Sequence, residues 1–151
     1  MRASKLGRYS WTMFDWANQP FYTLIMTFVF SVYFTDVFIT GEDGAQKLTL
    51  TQTISGLAIA LLSPVLGSIT DIKGNRKQLM GITSALFVLG MALLWYSPPG
   101  APDGIWLVMF GLILASAMVG FSEVFNNSVL ATIETPENSG WLSGMGYGVG
   151  Y

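Results

Sequence analysis

Four long apolar blocks dominate this sequence, and they constrain its fold more than any other feature. Each block has the roughly 20 residues that an α-helix needs to cross a hydrocarbon core about 30 Å thick. Charged residues make up only 11% of the chain, whereas a soluble domain carries about 25%. A water-exposed surface would need more charge than this, so the sequence predicts an all-α membrane protein.

The blocks predict four transmembrane helices and the start of a fifth, together a partial transmembrane domain over residues 1–151. Short polar or Pro/Gly-rich stretches separate them, including an expected turn at residues 40–44, and short links favour antiparallel neighbours packed in a bundle. Ser10 is the expected N-cap of the first helix. The predicted helices cover residues 11–38, 50–70, 78–96, 105–130 and 139–151, the last one cut short at Tyr151.

The basic residues favour one orientation of these helices. Six of the seven would lie on one side of the predicted bundle, and only Lys47 would lie on the other. The six are Arg2, Lys5, Arg8, Lys73, Arg76 and Lys77. Because cytoplasmic loops carry an excess of Lys and Arg, the N-terminus is expected in the cytoplasm. A bacterial-type cytoplasmic membrane is the expected location, and membrane lipid is the expected surrounding partner.

Some kinds of chemistry are excluded by what the sequence lacks. The chain contains no cysteine and no histidine, which removes disulfides, thiolate chemistry, the commonest metal ligand and the usual proton carrier at neutral pH. It also has no phosphate-binding loop and no nucleophile motif. We therefore expect no catalytic residues, no metal, no cofactor and no nucleic-acid partner. Any proton-linked chemistry must use carboxylates.

The most specific motif connects the second and third helices. It reads Gly67-Ser-Ile-Thr-Asp71-Ile-Lys73-Gly74-Asn-Arg76-Lys77. Asp71 would end the second helix, while Arg76 and Lys77 would begin the third, so each charge has the sign that its own helix dipole disfavours. Each charge therefore needs a partner elsewhere. A pair between Arg76 and Asp71 is one candidate, and lipid phosphates are another.

The glycines of this loop distinguish it from an ordinary basic cytoplasmic loop. Gly74 is expected to supply the tight turn, and Gly67 is expected to allow a close helix contact. An ordinary loop would explain the three basic residues, but it would not explain Asp71 or the glycine spacing.

Carboxylate and amide side chains lie within two of the predicted helices. Asp15 and Asn18 are three residues apart in the first helix, and Glu123, Asn126 and Asn127 share one face of the fourth. Asp15 and Glu123 would lie at similar depths near the cytoplasmic end. Because a charged residue within a span is a functional candidate, these side chains are candidates for binding a cationic group or a proton.

Two alternatives remain open for these residues. In the first, Asp15 lies in the first turns of its helix, where the dipole favours a carboxylate. In the second, the fourth helix leaves the membrane near Phe121, so that Glu123 and its neighbours lie in water.

Glycines recur at every fourth position near the end of the chain. Gly140, Gly144 and Gly148 would share one helix face, where another backbone could approach closely. A soluble glycine-rich tail is the alternative, but the apolar residues between these glycines favour a helix.

Two motifs carry a resemblance to a known family. The loop resembles the signature of the major facilitator superfamily, Gly-x-x-x-Asp-x-x-Gly-x-Arg-Lys/Arg, with Lys73 where Arg is common. The sequence Phe14-Asp15-Trp16-Ala17-Asn18-Gln19-Pro20-Phe21 is similar to the Tyr-Asp-Trp-Ala-Asn-Ser-x-Phe opening of the vacuole-effluxer-like branch. The glycine pattern of residues 143–151 also fits that branch, whereas Gln19 and Pro20 depart from its usual small residues.

The resemblance implies the N-terminal part of a twelve-helix transporter, in which two halves tilt around a central site. It implies that Asp71 steadies the outward-open state by contacts with the missing C-terminal half. It also implies that the first and fourth helices line the solute path. The branch includes autophagy-related vacuolar amino-acid exporters.

The implied function is secondary active transport, by efflux or exchange, of a small solute. An amino acid is the first candidate, and a proton or another ion is left open as the coupling partner. The alternative from another class is a non-transporting four-helix scaffold that assembles through the glycine face. An enzyme is not expected.

Overall fold

The computed structural model describes residues 4–100, 102–133 and 136–150, without the side chains of residues 71, 73, 102, 131, 136–138 and 149–150. In this part of the chain five helices follow one another and no strand occurs, which confirms the all-α prediction. The helices are α1 (Lys5–Phe38), α2 (Glu42–Lys73), α3 (Arg76–Leu93), α4 (Ile105–Ile133) and α5 (Pro136–Gly150). A 3₁₀ turn, Leu94–Tyr96, extends α3, and a second one, Pro102–Gly104, precedes α4.

The first helix begins earlier than the sequence predicted. α1 begins at Lys5 rather than at residue 11, because its N-cap is Ser4 and not Ser10. The Oγ of Ser4 accepts a hydrogen bond from the backbone N–H of Gly7 at 3.2 Å, which satisfies one of the free donors at the helix start. Ser10 instead lies inside the helix.

The second helix also begins earlier, at Glu42 rather than at residue 50, so the turn predicted at residues 40–44 is shorter than expected. Glu42 and Asp43 occupy the first helical turn, where the positive end of the helix dipole stabilises carboxylates. Gly41 makes the reversal possible, since its φ of 89° is a conformation that favours glycine. The other predicted ends differ from the observed ones by three residues or fewer.

α1 is not a regular α-helix along its whole length. It is α-helical over Lys5–Pro20 and changes to a π-helix over Phe21–Phe28. Pro20 has no N–H to donate, which disturbs the hydrogen-bond ladder at this point. Further along, the hydroxyl of Ser31 donates to the carbonyl oxygen of Met26 at 2.6 Å, so side chains satisfy carbonyls that the irregular backbone leaves free.

α4 is the centre of the bundle. In its apolar stretch 61% of the residues are buried, against 11% to 17% in the other three long helices. α1, α2 and α3 each pack against it. Three clusters of buried side chains fill the spaces between the helices. Their members on α4 are Val108, Met109, Leu112, Ala115, Ala117, Val119, Phe121 and Phe125.

α3 and α4 are in direct backbone contact where two glycines meet. A Cβ on Gly90 would lie 2.8 Å from the carbonyl oxygen of Gly111 and 2.8 Å from the backbone nitrogen of Ala115. A Cβ on Gly111 would lie equally close, 2.8 Å, to the carbonyl oxygen of Gly90. Small residues at such crossings let membrane helices approach closely.

The last helix packs on the first through a glycine other than those predicted. A Cβ at Gly140, Gly144 or Gly148 would meet no described atom within 4 Å. A Cβ at Gly146 would instead lie 3.0 Å from the Trp11 ring of α1. No described helix makes a close contact at the first three glycines, so the predicted approach of another backbone to that face stays a prediction. α5 turns the fully buried Leu142 toward the bundle, and Gly146 lies one turn further on the same face.

Four helices in the described residues are long and apolar enough to cross a membrane. Large apolar side chains cover the outer surface of the bundle; Leu61 and Trp106 are each 71% exposed. A continuous apolar surface of this kind is unfavourable in water but suits lipid. The protein is an integral multi-pass membrane protein.

The two ends of the bundle differ in charge. One end of the bundle, which we call the basic end, carries Lys5, Arg8, Arg76 and Lys77. α1 and α3 start there, and α2 and α4 finish there. Lys47 lies near the opposite end, where it pairs with Asp43 at 3.9 Å.

Candidate functional site

α1, α4 and α5 surround a polar cavity of about 480 Å³ toward the basic end of the bundle. Its walls contain two carboxylates, two amides, a serine hydroxyl and three aromatic side chains, two of them tyrosines, and we call it the carboxylate cavity. The lining residues are Trp11, Asp15, Gln19, Tyr22, Glu123, Asn127, Ser143 and Tyr147.

Asp15 lies well inside its helix and faces the interior of the bundle. α1 begins at Lys5, so Asp15 is about 15 Å from the helix start. The dipole acts within the first turn, so the alternative that placed Asp15 in the first turns is wrong. Leu6, Tyr9 and Trp16 are exposed on the other face of this segment, which is the face available to lipid.

Glu123 lies in a part of α4 that stays packed inside the bundle. The helix continues to Ile133, about 15 Å beyond Glu123, and both Phe121 and Asn126 are buried. α4 therefore stays packed in the bundle beyond Phe121, and the alternative that this part of α4 lies outside the membrane stays a prediction. Glu123 forms a side-chain hydrogen bond with Tyr22 of α1 and lies close enough to Asp15 for the two carboxyl groups to interact electrostatically.

The structure brings together three of the five predicted path residues, Asp15, Glu123 and Asn127. The other two hold α1 against α4. The Nδ2 of Asn18 donates to the Oγ of Ser122 at 3.4 Å. The carbonyl oxygen of Asn126 accepts a hydrogen bond from the indole Nε1–H of Trp11 at 2.7 Å. Neither Asn18 nor Asn126 lines the cavity.

Five of the cavity residues were missed by sequence reasoning. Gln19 and Tyr22 follow Asp15 by one and two helical turns, so the helical period alone placed them on the same face. Trp11 precedes Asp15 by one turn, but it is the first residue of the predicted helix, where its direction was not fixed. Ser143 and Tyr147 come from α5, and only the packing of that helix on α1 brings them to the cavity.

A second cavity, of about 370 Å³, lies between α1, α2 and α4, and we call it the α2 cavity. Its polar groups belong to Gln52 and Ser55 of α2 and Ser116 of α4, and its apolar ones include Met26. Tyr22 lines this cavity as well as the carboxylate cavity.

The loop between α2 and α3 has the predicted turn. Gly74 has a φ of 63° and is the C-cap of α2, and its N–H donates to the carbonyl oxygen of Thr70 at 2.9 Å. A Cβ at Gly67 would meet nothing within 4 Å among the described residues, so the close helix contact expected there stays a prediction. Gly67 lies on a part of α2 that no described helix covers.

Arg76 binds near the C-terminal end of α4. Its Nη1 donates to the carbonyl oxygen of Ser128 at 2.9 Å, and a hydrogen bond from a charged donor is stronger than one between neutral groups. The need for a partner outside its own helix is therefore met by α4. The side chain of Asp71 lies outside the described residues, so its pairing with Arg76 stays a prediction. Lys77 is exposed.

The turn at Gly74 leads to a stability prediction. Replacing Gly74 by Ala should lower the free energy of unfolding by about 1–2 kcal/mol, because a Cβ disfavours a left-handed backbone. Gly67→Ala is the matched control, since a Cβ meets nothing within 4 Å at either position and Gly67 has a helical backbone. Thermal unfolding of the purified proteins in detergent measures both. Equal melting temperatures for the two variants would show that the φ at Gly74 is not required.

Comparison with known proteins gives one informative match. The chain is 30% identical over 148 residues to YxiO, described as an uncharacterized MFS-type transporter, from Bacillus subtilis (strain 168). The chain is similar to part of a major facilitator transporter. The match covers 94% of this chain, which spans 33% of the length of that curated relative. No family model matches the chain, and no solved structure matches it.

Proposed function

We propose that this chain is the N-terminal part of a major facilitator transporter that moves a small solute across a membrane by alternating access. The observation that carries the proposal is the carboxylate cavity. A charged side chain within a membrane span is costly and usually has a function. Two carboxylates that line one cavity inside an apolar bundle therefore lower the stability of the protein in the membrane. A role in binding a solute would explain their presence. The similarity to an MFS-type transporter supports transport over the scaffold alternative.

An amino acid, exported or exchanged, is the proposed solute. Its ammonium group suits the carboxylates of Asp15 and Glu123, and the amides of Gln19 and Asn127 add neutral hydrogen-bonding groups. The resemblance to the vacuole-effluxer-like branch supports the same solute class. The remaining part of the transporter would supply the opposite wall of the path, including any group that binds the solute carboxylate. The same two carboxylates are the candidates for carrying a coupling proton.

The loop from Gly67 to Lys77 is the proposed conformational switch. Arg76 ties the start of α3 to the end of α4, so the loop would move together with the helix that carries Glu123. Asp71 would hold the other half of the transporter in one of its states. The basic end would face the cytoplasm of a bacterial-type cell, as the distribution of Lys and Arg favours.

A transport assay tests the proposal directly. Cells that express the gene encoding this chain would be loaded with each of a set of radiolabelled amino acids, and efflux would be compared with that from cells lacking the gene. We expect faster efflux of at least one amino acid, and a proton ionophore should reduce it if a proton is the coupling ion. Unchanged efflux of every amino acid, with the protein present in the membrane at normal abundance, would refute amino-acid export.

A further inference from the structure

The two cavities lie one after the other along the axis of the bundle. Asp15 and Gln19, in the carboxylate cavity, precede the midpoint of α1 (Lys5–Phe38), whereas Met26, in the α2 cavity, follows it. α4 has the same order, because Glu123 lies on the basic-end side of its midpoint and Ser116 lies on the opposite side. The cavities therefore occupy different depths of the same membrane-spanning bundle.

Tyr22 lies where the two cavities meet. It is close to the midpoint of α1, and among the described residues it is the one that lines both cavities. Its ring is held on one side by Phe21, with ring centroids 5.5 Å apart in an edge-to-face arrangement. Phe21 is buried and packs in turn on Phe87 of α3, at 5.3 Å. At its polar end, the Tyr22 side chain hydrogen-bonds with Glu123.

The backbone of α1 becomes irregular next to Tyr22. The regular α-helix ends at Pro20, and the π-helix begins at Phe21. Proline and π-helical turns both interrupt the usual ladder of hydrogen bonds, and π-helical turns occur often at functional sites. A side chain at such a point can change position with less disturbance of the helix than one in a regular segment.

We propose that Tyr22 is the gate between two compartments of one solute path. This inference rests on the proposed transport function. Tyr22 lines both the carboxylate cavity and the α2 cavity, so its ring would form the barrier between them, and its hydrogen bond with Glu123 would hold the barrier closed. A cationic group that binds the Glu123 carboxylate competes for the same oxygen atoms and so weakens this hydrogen bond. Binding in the first compartment thereby favours opening toward the second, whose Gln52, Ser55 and Ser116 offer neutral polar groups.

Accessibility of introduced cysteines tests the gate, because the chain contains no cysteine of its own. Gln52→Cys would report on the α2 cavity and Asn127→Cys on the carboxylate cavity. The whole protein encoded by the gene would be tested in inverted and right-side-out membrane vesicles. The probe is a charged, membrane-impermeant methanethiosulfonate added outside the vesicles. The protein without an introduced cysteine gives the background labelling.

Removal of the ring should open the barrier. We expect Tyr22→Ala to raise the rate at which Gln52→Cys is labelled from the basic-end side by about tenfold or more, as expected when a gating side chain is lost. Tyr22→Phe keeps the ring but loses the hydroxyl, so it should raise the same rate by a smaller factor. Phe28→Ala is the control, because Phe28 belongs to the same π-helix but is 67% exposed and lines neither cavity.

The outcomes separate this inference from the proposed function. If Asn127→Cys is labelled from the basic-end side but neither Tyr22 variant changes the labelling of Gln52→Cys, Tyr22 is not a gate and the path itself stands. The gate is equally refuted if Phe28→Ala has as large an effect as Tyr22→Ala. If Asn127→Cys is labelled from neither side, the carboxylate cavity is not a path, and both proposals fail. Should Tyr22→Ala not reach the membrane, an unchanged rate with Tyr22→Phe refutes the proposal that the hydrogen bond with Glu123 keeps the gate closed.

Discussion

Replacing Glu123 by Gln or Asp15 by Asn is expected to lower solute transport about 10- to 100-fold. This range follows because a hydrogen bond to a charged group contributes about 1.5–3 kcal/mol, and each variant loses such a bond. Both substitutions keep the size of the side chain and remove its charge. In the proposed path a cationic group or proton binds these two carboxylates. The loss should therefore appear in transport, while the amount of protein in the membrane stays close to normal.

Two other carboxylates of the chain provide matched controls. Asp36 is exposed near the opposite end of α1, and Glu42 is exposed in the first turn of α2. Neither lines the carboxylate cavity. Asp36→Asn and Glu42→Gln should therefore leave transport nearly unchanged in the same radiolabel efflux assay. Comparable losses in the control variants would mean that overall charge matters and that the cavity has no special role.

Replacing Gly90 by Val is expected to destabilise the bundle more than replacing Gly74 by Ala does. Even the Cβ of the new side chain would lie 2.8 Å from backbone atoms of Gly111 and Ala115, and a backbone cannot yield as a flexible side chain can. Overpacking of this kind costs about 1–3 kcal/mol and occasionally more. α3 would have to move away from α4, the helix on which the rest of the bundle packs.

Gly81→Val is the control for this prediction. Gly81 lies in the same helix, and a Cβ there meets nothing within 4 Å among the described residues. Both variants introduce a β-branched residue into α3, so the difference between them isolates the contact with α4. We expect Gly90→Val to show a lower melting temperature and a smaller monodisperse fraction on size exclusion in detergent. Similar behaviour of the two variants would contradict a tight crossing at Gly90.

The sequence by itself determined the membrane spans, the distribution of charge between the two ends and the turn at Gly74. These properties depend on composition over a short stretch or on the conformational freedom of one residue. It also singled out Asp15 and Glu123, because a carboxylate is conspicuous within an apolar block. The helix starts were harder to predict, since Ser4 and Ser10 are chemically equal candidates for the N-cap of α1.

Only the tertiary structure decided which face of each helix is turned inward. In a soluble protein the polar face of a helix marks its outside, but lipid is as apolar as the protein core, so that contrast is missing here. The sequence therefore did not indicate that α3 and α4 cross closely at Gly90 and Gly111. The regular spacing of Gly140, Gly144 and Gly148 instead suggested a contact that this part of the chain does not make. For the same reason, only the packing of α5 on α1 brought Tyr147 to the cavity.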